Sequence, residues 1–390
     1  MTIHSALLLR TARYGKDGAP LTFDKLNTLR SKLENLQLII IDEVSMIGSD
    51  MLLNIHRRLG EIKGASGDGI FFGNVCVLAV GDLYQLSPVM QRPIFEPVKD
   101  AMARLNGSIW KNEFQLHELQ EIMRQKDDSA FAELLCRLRI GEATKEDIEI
   151  LHSRDIGSDV TSYPENALHV FAYNADVDRY NSEKLDKIAA KDQQVTIQAS
   201  DDKTDSTGQL DLSKLSTSQK RANTGGLETV LVVAVGARVM MTINVNTADG
   251  LVNGAMGKVE AIIQNNVGKV ACLLVKFDNN KVGEHAIASS KFKHDYPNAV
   301  PVMRHESKNE KVGKKGAQIA RRQFPLKLAW AVTIHKCQGL TLDEIVVNMK
   351  GAKRFGSGQA YVAFSRVKSL DSLHIINFQK DGIKTDKKVK

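Results

Sequence analysis

A buried-strand pattern that ends in two acids occupies residues 36–46, LQLIIIDEVSM. The apolar run from Leu38 to Ile41 stops abruptly at Asp42 and Glu43. Four bulky apolar residues in a row predict a strand buried on both faces, as in a parallel sheet covered by helices. Two acids at the carboxyl end of such a strand lie where open α/β sheets bind their ligands. The pair suits a nucleoside triphosphatase, since Asp42 can hold Mg²⁺ on the phosphates and Glu43 can deprotonate the attacking water.

The residues that follow have the pattern of a parallel α/β domain. Residues 49–63 predict a helix with Ser49 as N-cap and an apolar face made of Met51, Leu52, Ile55, Leu59 and Ile62. A second buried-strand run at 75–80 leads into GDLYQL, so Gln85 is expected on the same rim as Glu43, near a terminal phosphate. Taken alone, an apolar-DE string is more often a strand that ends in a polar turn, and a lone Gln is a loop residue. Together, the two strings favour a phosphate site.

The composition excludes several classes of protein. At 390 residues, of which 43% are hydrophobic, the chain is long enough for two to three domains. No window approaches the roughly 18 uninterrupted apolar residues of a membrane span, and no basic segment precedes the N-terminal apolar run, so neither a membrane span nor a secretory signal is expected. The four cysteines (Cys76, Cys136, Cys272, Cys337) form no C-x-x-C pair. They predict free thiols in a reducing, intracellular compartment, without a disulfide frame or a zinc site.

The net charge of +7 permits a polyanionic partner. Basic residues crowd the segment 308–322 and the tail 381–390. A solvated loop and a frayed terminus are the alternative explanations, and for the tail the frayed terminus is preferred.

The second half of the chain changes from helices to short strands and back. A helix with Phe131, Leu134, Leu135 and Leu138 on one face is expected to stop at Gly141. Residues 198–226 are rich in Ser, Thr, Asp, Lys and Gly and predict a surface loop or insertion. Strand-like runs without intervening helices follow between 229 and 277, which predicts a small β-barrel with the basic segment 308–322 as one of its loops.

Six strings in order carry a resemblance to a known family. They are DEVSM at 42–46, GDLYQLSPV at 81–89, EIMRQ at 121–125, GLVNGAMGKV at 250–259, FPLKLAWAVTIHKCQGLTL at 324–342 and GQAYVAFSRVKSLDSLHI at 358–375. They resemble motifs II, III and IV, the segment before the barrel, motif V and motif VI of the PIF-one-type helicases, the RecD-like branch of superfamily one. Ser87 stands where the family commonly has a second proline. The resemblance covers the chain from Thr2 to about Phe378.

The resemblance implies an α/β fold of two RecA-like P-loop NTPase lobes, the first one incomplete, with a small inserted β-barrel. Residues 1–116 would form the first lobe with motifs II and III, and residues 117–256 and 324–380 the second lobe with motifs IV, V and VI. Residues 257–323 would be the barrel, and 381–390 a basic tail.

The resemblance also implies roles for particular residues. Asp42 would bind Mg²⁺, Glu43 would activate water, and Gln85 would couple the γ-phosphate of ATP to the DNA site. Arg124 and Arg366 would be arginine fingers of the second lobe, and Gln338 would join the nucleotide-binding residues. The nucleic-acid contacts would come from Thr2 and His4 on the first lobe and from Thr333, His335 and Lys336 on the second.

One family feature is not found. Family members carry G-x-x-x-x-G-K-[ST] before motif II, whose backbone amides and Lys cradle the phosphates, and the 390 residues contain no such string. We therefore expect an N-terminally truncated chain, either a fragment or a natural degenerate copy. Its ATP binding would be severely weakened and stand-alone unwinding absent. The strand at 38–41 would be left exposed.

The resemblance favours an ATP-dependent DNA helicase that moves 5′-to-3′ on single-stranded DNA, binds duplex junctions and acts as a monomer, without membrane contact. It suggests genome maintenance (repair, recombination, telomeres), in the nucleus if the source is eukaryotic, with the mitochondrion as an alternative. A second hypothesis is a non-catalytic single-stranded nucleic-acid-binding fragment or relic of such a helicase. A third, an unrelated GTPase-like or AAA-type ATPase, is disfavoured by the motif VI string.

Overall fold

A computed structural model of the chain describes residues 2–9, 21–67, 69–101, 104, 107–157, 163–165, 167–204, 226–312 and 317–389. The helices are α1 (Ile3–Ala6), α2 (Phe23–Lys32), α3 (Ser49–Lys63), α4 (Ile109–Glu113), α5 (Ser129–Ile140), α6 (Lys145–Ser153), α7 (Asn174–Ile188), α8 (Glu284–Ala288), α9 (Ile334–Cys337) and α10 (Gln359–Phe364). The strands are β1 (Leu38–Ile41), β2 (Cys76–Ala79), β3 (Leu168–Phe171), β4 (Val195–Gln198), β5 (Ser200–Thr204), β6 (Val230–Val233), β7 (Arg238–Met241), β8 (Met256–Gln264), β9 (Val270–Phe277), β10 (Val300–Val302), β11 (His305–Val312), β12 (Ala317–Gln323), β13 (Leu326–Leu328), β14 (Ala331–Thr333), β15 (Ile345–Asn348) and β16 (Leu373–Ile376). Among these described helices, none has the length and apolar character needed to cross a membrane.

The chain divides into two compact units. Unit 1 comprises Met1–Val160, Cys337–Asp343 and Val347–Lys390, and unit 2 comprises Thr161–Lys336 and Glu344–Val346. These two units are defined by contacts between residues, whereas the two lobes predicted from the sequence are defined by the motifs they contain. Those lobe boundaries stay a prediction.

Unit 1 is built around the strand that precedes the two acids. β1 pairs in parallel with β2, with Leu38 opposite Cys76 and Ile41 opposite Ala79. Helix α3 spans the predicted residues, and its predicted apolar face is buried against Ile41. The N-cap is Gly48 and not Ser49, which is the first helical residue. The predicted strand–helix–strand order is therefore confirmed, with one residue of correction at the cap.

The prediction that β1 is buried on both faces is wrong for these residues. Ile40 is 63% exposed and Leu38 48%, and on the neighbouring strand Leu78 is 50% exposed. Side chains alternate along a strand, so one face packs on α3 and the other lies open. The exposure predicted for the strand at 38–41 is therefore confirmed for Leu38 and Ile40.

Helices α5 and α6 form the next part of unit 1. The predicted face of α5 is buried, and the helix ends at Gly141 in the left-handed conformation. Thr144 and Asp147 form a capping box at the start of α6. Arg137 of α5 donates two hydrogen bonds to the buried Asp147, at 2.7 and 2.8 Å. This ion pair ties the two helices together.

Unit 2 contains a second parallel strand pair. β3 lies parallel to β14, with Phe171 opposite Thr333. His169 on β3 is 3% exposed, and its ring stacks on Tyr180 of α7 with 4.3 Å between ring centroids. Burial, together with a smaller effect of the charge of Lys184, lowers the pKa of His169 to about 3. The imidazole is thus neutral at physiological pH.

The predicted β-barrel is not among the sheets of the described residues. Strands β7 to β10 and β13 form a five-stranded antiparallel sheet, and β5, β11 and β12 form a separate three-stranded sheet. The short strands were predicted correctly, but their number and hydrogen-bonding order do not close a cylinder. Residues 198–226 were predicted as a loop, yet 200–204 form β5; the part from 205 to 225 lies outside the described residues.

One buried arginine holds the three-stranded sheet. Arg321 is 1% exposed and donates to both carboxylate oxygens of Asp201, at 2.6 and 2.5 Å. It also donates to the carbonyl of Leu227 and to the hydroxyl of Thr229. Its neighbour Arg322 pairs instead with Glu306 in an exposed position.

Two further predictions about basic segments need correction. The segment 308–322 is not a loop, since β11 and β12 pair in an antiparallel hairpin within it, although Lys314 and Lys315 lie outside the described residues. The tail is not frayed up to residue 389. Lys384 donates to the carbonyls of Lys353 and Phe355, and Lys388 pairs with Glu96.

Candidate functional site

The two acids lie at the carboxyl end of β1, as predicted, and Glu43 has an unusual backbone. Its φ and ψ are 54° and 47°, in the left-handed region that few residues other than glycine adopt. Hydrogen bonds on both sides hold it there, from the amide of Val80 to the carbonyl of Ile41 and from the amide of Val44 to the carbonyl of Val80. Such strain costs of order 1–2 kcal/mol and occurs where the side chain must point in one direction.

Glu43 is joined to the segment that resembles motif V. The amide nitrogen Nε2 of Gln338 donates to Oε2 of Glu43 at 2.7 Å. Oε1 of Gln338 is buried and has no hydrogen-bond partner among the described residues. A Cβ at the next residue, Gly339, would lie 3.5 Å from the other glutamate oxygen, Oε1, which is an ordinary van der Waals contact. One carboxylate oxygen is therefore held by Gln338, and the other lies beside a glycine.

Asp42 is exposed, and its Oδ1 accepts a hydrogen bond from the amide of Glu43 at 2.8 Å. A carboxylate oxygen is a hard ligand suited to Mg²⁺, which proteins hold through one or two carboxylates together with water and substrate phosphates. Among the described residues, no group of three or more His, Cys, Asp or Glu could hold a metal ion without such help. Asp42 thus fits a Mg²⁺ ion that arrives with a nucleotide.

Gln85 lies in a loop that several groups hold. Its Nε2 is 3.5 Å from Oδ2 of Asp82, and its buried Oε1 has no hydrogen-bond partner within the described ranges. Nε of Arg139 donates to the same Oδ2 at 2.9 Å, and its guanidinium lies 4.8 Å from the centroid of the Tyr84 ring. On the other side Gly358 approaches the loop closely, since a Cβ there would be 2.5 Å from the carbonyl oxygens of Tyr84 and Gln85.

The two predicted arginine fingers meet near Ser365. Arg124 donates from Nε to the hydroxyl of Thr341 at 3.0 Å and from Nη1 to the carbonyl of Ser365 at 3.1 Å. Arg366 is 2% exposed and donates to the Ser365 hydroxyl at 2.7 Å, while its buried Nε has no hydrogen-bond partner in the part of the chain that the structure describes. Arg124 is thus not a surface ion pair, the ordinary role of a single Arg.

Burial lowers the pKa of Arg366, and the nearby charge of Arg124 lowers it further, against a smaller opposing effect of Glu43. The buried guanidinium of Arg366 and the half-buried one of Arg124 disfavour each other, and an anion between them would remove that penalty. The unpaired polar atoms of Arg366, Gln338 and Gln85 point to the same conclusion, because buried polar groups without partners are rare. The residues present fit the terminal phosphate of a nucleoside triphosphate.

The predicted nucleotide residues thus lie in one compact unit. Asp42, Glu43, Gln85, Arg124, Gln338 and Arg366 all belong to unit 1. Sequence reasoning missed Asp82 and Arg139. Asp82 stands inside the GDLYQL string and could have been considered, whereas Arg139 lies on an ordinary amphipathic helix and carries no sequence signal.

The predicted nucleic-acid residues fall in both units. Thr2 is the N-cap of α1, and its hydroxyl accepts from the amide of Ser5 at 3.3 Å; His4 lies on the same short helix. In unit 2, Thr333 is 9% exposed, and burial lowers the pKa of His335. Lys336 is exposed, with Nζ 3.5 Å from Oδ1 of Asn253. Of the three residues in unit 2, Lys336 is the best placed to reach a phosphate.

The chain is similar to known proteins over most of its length. The family model of PIF1-like helicases matches residues 1–149. The chain is 29% identical over 350 residues to the ATP-dependent DNA helicase PIF1 of Danio rerio, covering 87% of this chain and 46% of that protein. It is 27% identical over 361 residues to the human protein of the same name, covering 91% of this chain and 48% of the relative. The chain thus spans about half the length of the curated relatives it matches.

Solved structures show the same fold. The crystal structure of Pif1 helicase from Candida albicans matches with a TM-score of 0.73 and 27% identity, covering 100% of this chain and 83% of that one. Bacteroides Pif1 in complex with ADP-AlF3 and single-stranded DNA matches with a TM-score of 0.67 and 25% identity, covering 98% and 80%. The fold is therefore that of helicases with two RecA-like lobes. Within that class, the chain is similar to the PIF1-like helicases, in the family model over residues 1–149 and in the named relatives over most of its length.

Proposed function

We propose that this protein is an ATP-dependent DNA helicase that couples ATP hydrolysis to 5′-to-3′ movement on single-stranded DNA. The observation that carries the proposal is the site around Glu43, whose backbone is strained and whose carboxylate accepts a hydrogen bond from Gln338 at 2.7 Å. Gln85, Arg124 and Arg366 belong to the same unit. The named relatives, which are ATP-dependent DNA helicases, support it.

Each residue has a definite part in hydrolysis. Glu43 accepts a proton from the attacking water at Oε1, while Gln338 keeps the carboxylate in place through Oε2. The side-chain amide of Gln85 contacts the γ-phosphate of ATP and couples its presence to the DNA site. Arg124 and Arg366 neutralise charge that develops on the transferred phosphoryl group, a contribution worth about 10³–10⁵ in rate in other phosphoryl-transfer enzymes. Asp42 would hold Mg²⁺, which would supply further neutralisation of the phosphate charge when bound.

The nucleic-acid partner in this proposal is single-stranded DNA, together with duplex junctions. Lys336 contacts a phosphate directly, with Thr333 and His335 beside it in the sequence, and Thr2 and His4 contribute from the other end of the chain. The protein acts as a monomer inside the cell, in the nucleus if its source is eukaryotic, and serves genome maintenance such as repair, recombination and telomere upkeep.

A second candidate function is non-catalytic binding of single strands. It is favoured by one sequence observation, namely that the 390 residues contain no G-x-x-x-x-G-K-[ST] string whose backbone could cradle the phosphates. Both candidates share salt-dependent binding to single strands, and only the helicase turns over ATP.

The deciding experiment is ATP hydrolysis by the 390-residue chain with and without single-stranded DNA, with Glu43→Gln as the control. DNA-stimulated turnover that disappears in Glu43→Gln supports the helicase. Turnover no higher than that of Glu43→Gln, with DNA binding retained, supports the second candidate. Loss of DNA binding in both would contradict both functions.

A further inference from the structure

Arg139 is the charged residue near the candidate site to which no motif gives a role. It lies in the last turn of α5, and its side chain is 31% exposed. Its guanidinium makes two contacts with the Gln85 loop, the ion pair with Asp82 at 2.9 Å and the stacking on Tyr84 at 4.8 Å. Burial alone would lower the pKa of Arg139, but the hydrogen bond and the charge of Asp82 outweigh it and raise the pKa.

Asp82 is the centre of this cluster. Oδ1 accepts from the backbone amide of Tyr84 at 3.1 Å, and Oδ2 accepts from Nε of Arg139 at 2.9 Å. The side-chain amide of Gln85 also faces Oδ2, but at 3.5 Å. That distance is at the limit of a hydrogen bond, so Arg139 holds the strong bond to this oxygen and Gln85 only a weak one. The donor group of Gln85 is therefore only lightly held.

This arrangement matters for an anionic ligand in two ways. A lightly held Gln85 amide can turn its N–H donors toward a terminal phosphate at small cost, whereas a strong bond to Asp82 would have to be broken first. The carboxylate of Asp82 would also repel a phosphate unless a cation neutralises it, and Arg139 is that cation. Gly358 packs closely against the same loop, because a Cβ there would lie 2.5 Å from the carbonyl oxygens of Tyr84 and Gln85.

We propose that Arg139 is a positioning residue for the response to the γ-phosphate, because it occupies and neutralises Asp82 and so leaves the amide of Gln85 available. The inference rests on the proposed function, since it deepens the account of the same nucleotide site. It adds a third basic group, after Arg124 and Arg366, whose action on the phosphate is indirect and passes through Asp82 and Gln85.

The test is nucleotide preference at equilibrium, which requires no turnover. The affinities of the 390-residue chain for Mg²⁺-ADP and for a non-hydrolysable Mg²⁺-ATP analogue are measured by calorimetry in wild type, Arg139→Gln and Arg139→Lys. The preference is the ratio of the affinity for the triphosphate analogue to the affinity for ADP. We expect this ratio to be about tenfold lower in Arg139→Gln than in the wild type, as the loss of one charge-assisted interaction predicts. Arg139→Lys retains the positive charge and should recover most of that preference.

The matched control is Arg137→Gln. Arg137 lies on the same helix and makes an ion pair of the same kind, with Asp147, away from the Gln85 loop. Arg137→Gln should destabilise the fold at least as much as Arg139→Gln and leave the triphosphate preference unchanged. Hydrogen exchange of the Tyr84 and Gln85 amides should become faster in Arg139→Gln alone.

The outcomes separate the two claims. A wild-type preference for the triphosphate that Arg139→Gln keeps would overturn the role of Arg139 and leave the proposed function standing. An equal loss of preference in Arg137→Gln would overturn it as well, since the effect would then be general destabilisation. A wild-type chain without any preference for the triphosphate would overturn the proposed ATP site itself, and this inference with it.

Discussion

The close contact between Gly358 and the Gln85 loop can be tested with a pair of matched glycines. Gly358 and Gly351 both have φ of +76°, and each stands immediately before a helical segment. A Cβ at Gly358 would lie 2.5 Å from the carbonyl oxygens of Tyr84 and Gln85, whereas a Cβ at Gly351 would meet nothing within 4 Å. Alanine at the two positions therefore imposes the same backbone strain and differs only in the contact.

The expected losses follow from these distances. The left-handed conformation costs a non-glycine residue about 1–2 kcal/mol, so Gly351→Ala should lower the free energy of unfolding by about that much. Gly358→Ala has the same cost, and its Cβ is also roughly 0.8 Å too close to two oxygens, given a normal carbon–oxygen contact of ~3.3 Å. Overpacking of this kind adds about 1–3 kcal/mol. The loop that carries Gln85 must shift to relieve it.

The assay is equilibrium unfolding in urea, followed by tryptophan fluorescence. The chain has two tryptophans, Trp110 in unit 1 and Trp330 in unit 2, so a Trp330→Phe background makes the signal report unit 1 alone. Midpoints should fall in both variants with unchanged slopes, and fall further in Gly358→Ala. Losses that agree within about 0.5 kcal/mol would refute the close approach, because the conformational cost alone would then explain both.

Three other outcomes are expected. The pKa of His169 is about 3 in the folded state and about 6.5 in the unfolded chain, so only the unfolded chain binds a proton as the pH falls below 6.5. The free energy of unfolding should therefore fall by about 2 kcal/mol between pH 7.5 and 5.0. In urea titrations, the free energy of unfolding of His169→Phe should depend less on pH than that of the wild type. Asp201→Ala strips the buried Arg321 of its carboxylate and should cost about 3–5 kcal/mol by chemical denaturation, whereas Glu306→Ala, which removes the partner of an exposed arginine, should cost under about 1 kcal/mol. Lys336→Ala should reduce the slope of log affinity for single-stranded DNA against log salt by about one, and an unchanged slope would remove this residue from the interface.

The sequence predicted those parts of the fold that local pattern controls. The 3.6-residue periodicity around Leu59 placed α3 correctly, and Gly141 marked the end of α5, because hydrophobic spacing and helix-ending glycines act within a few residues. The position of the two acids at the end of a strand was predicted for the same reason, since an apolar run that stops at Asp42 and Glu43 is a local signal.

The features that could not be predicted from the sequence depend on contacts between residues that are far apart in the chain. The burial of β1 could not be judged from its apolar run, because burial depends on what covers each face of the sheet. Arg139 meets Asp82 across 57 residues, and the basic hairpin at 308–322 depends on pairing with β5. The tail looked unstructured from its charge, yet Lys384 finds two backbone carbonyls in the folded chain.

The left-handed backbone at Glu43 has a consequence for protein engineering. A selection for thermal stability, applied to a library at this position, should enrich glycine or asparagine, because these residues adopt that conformation at lower cost. Every such winner would lack the carboxylate that Gln338 holds at 2.7 Å. Stability therefore favours glycine or asparagine at position 43, whereas the proposed chemistry requires glutamate. A screen intended to improve the protein must measure activity together with melting temperature.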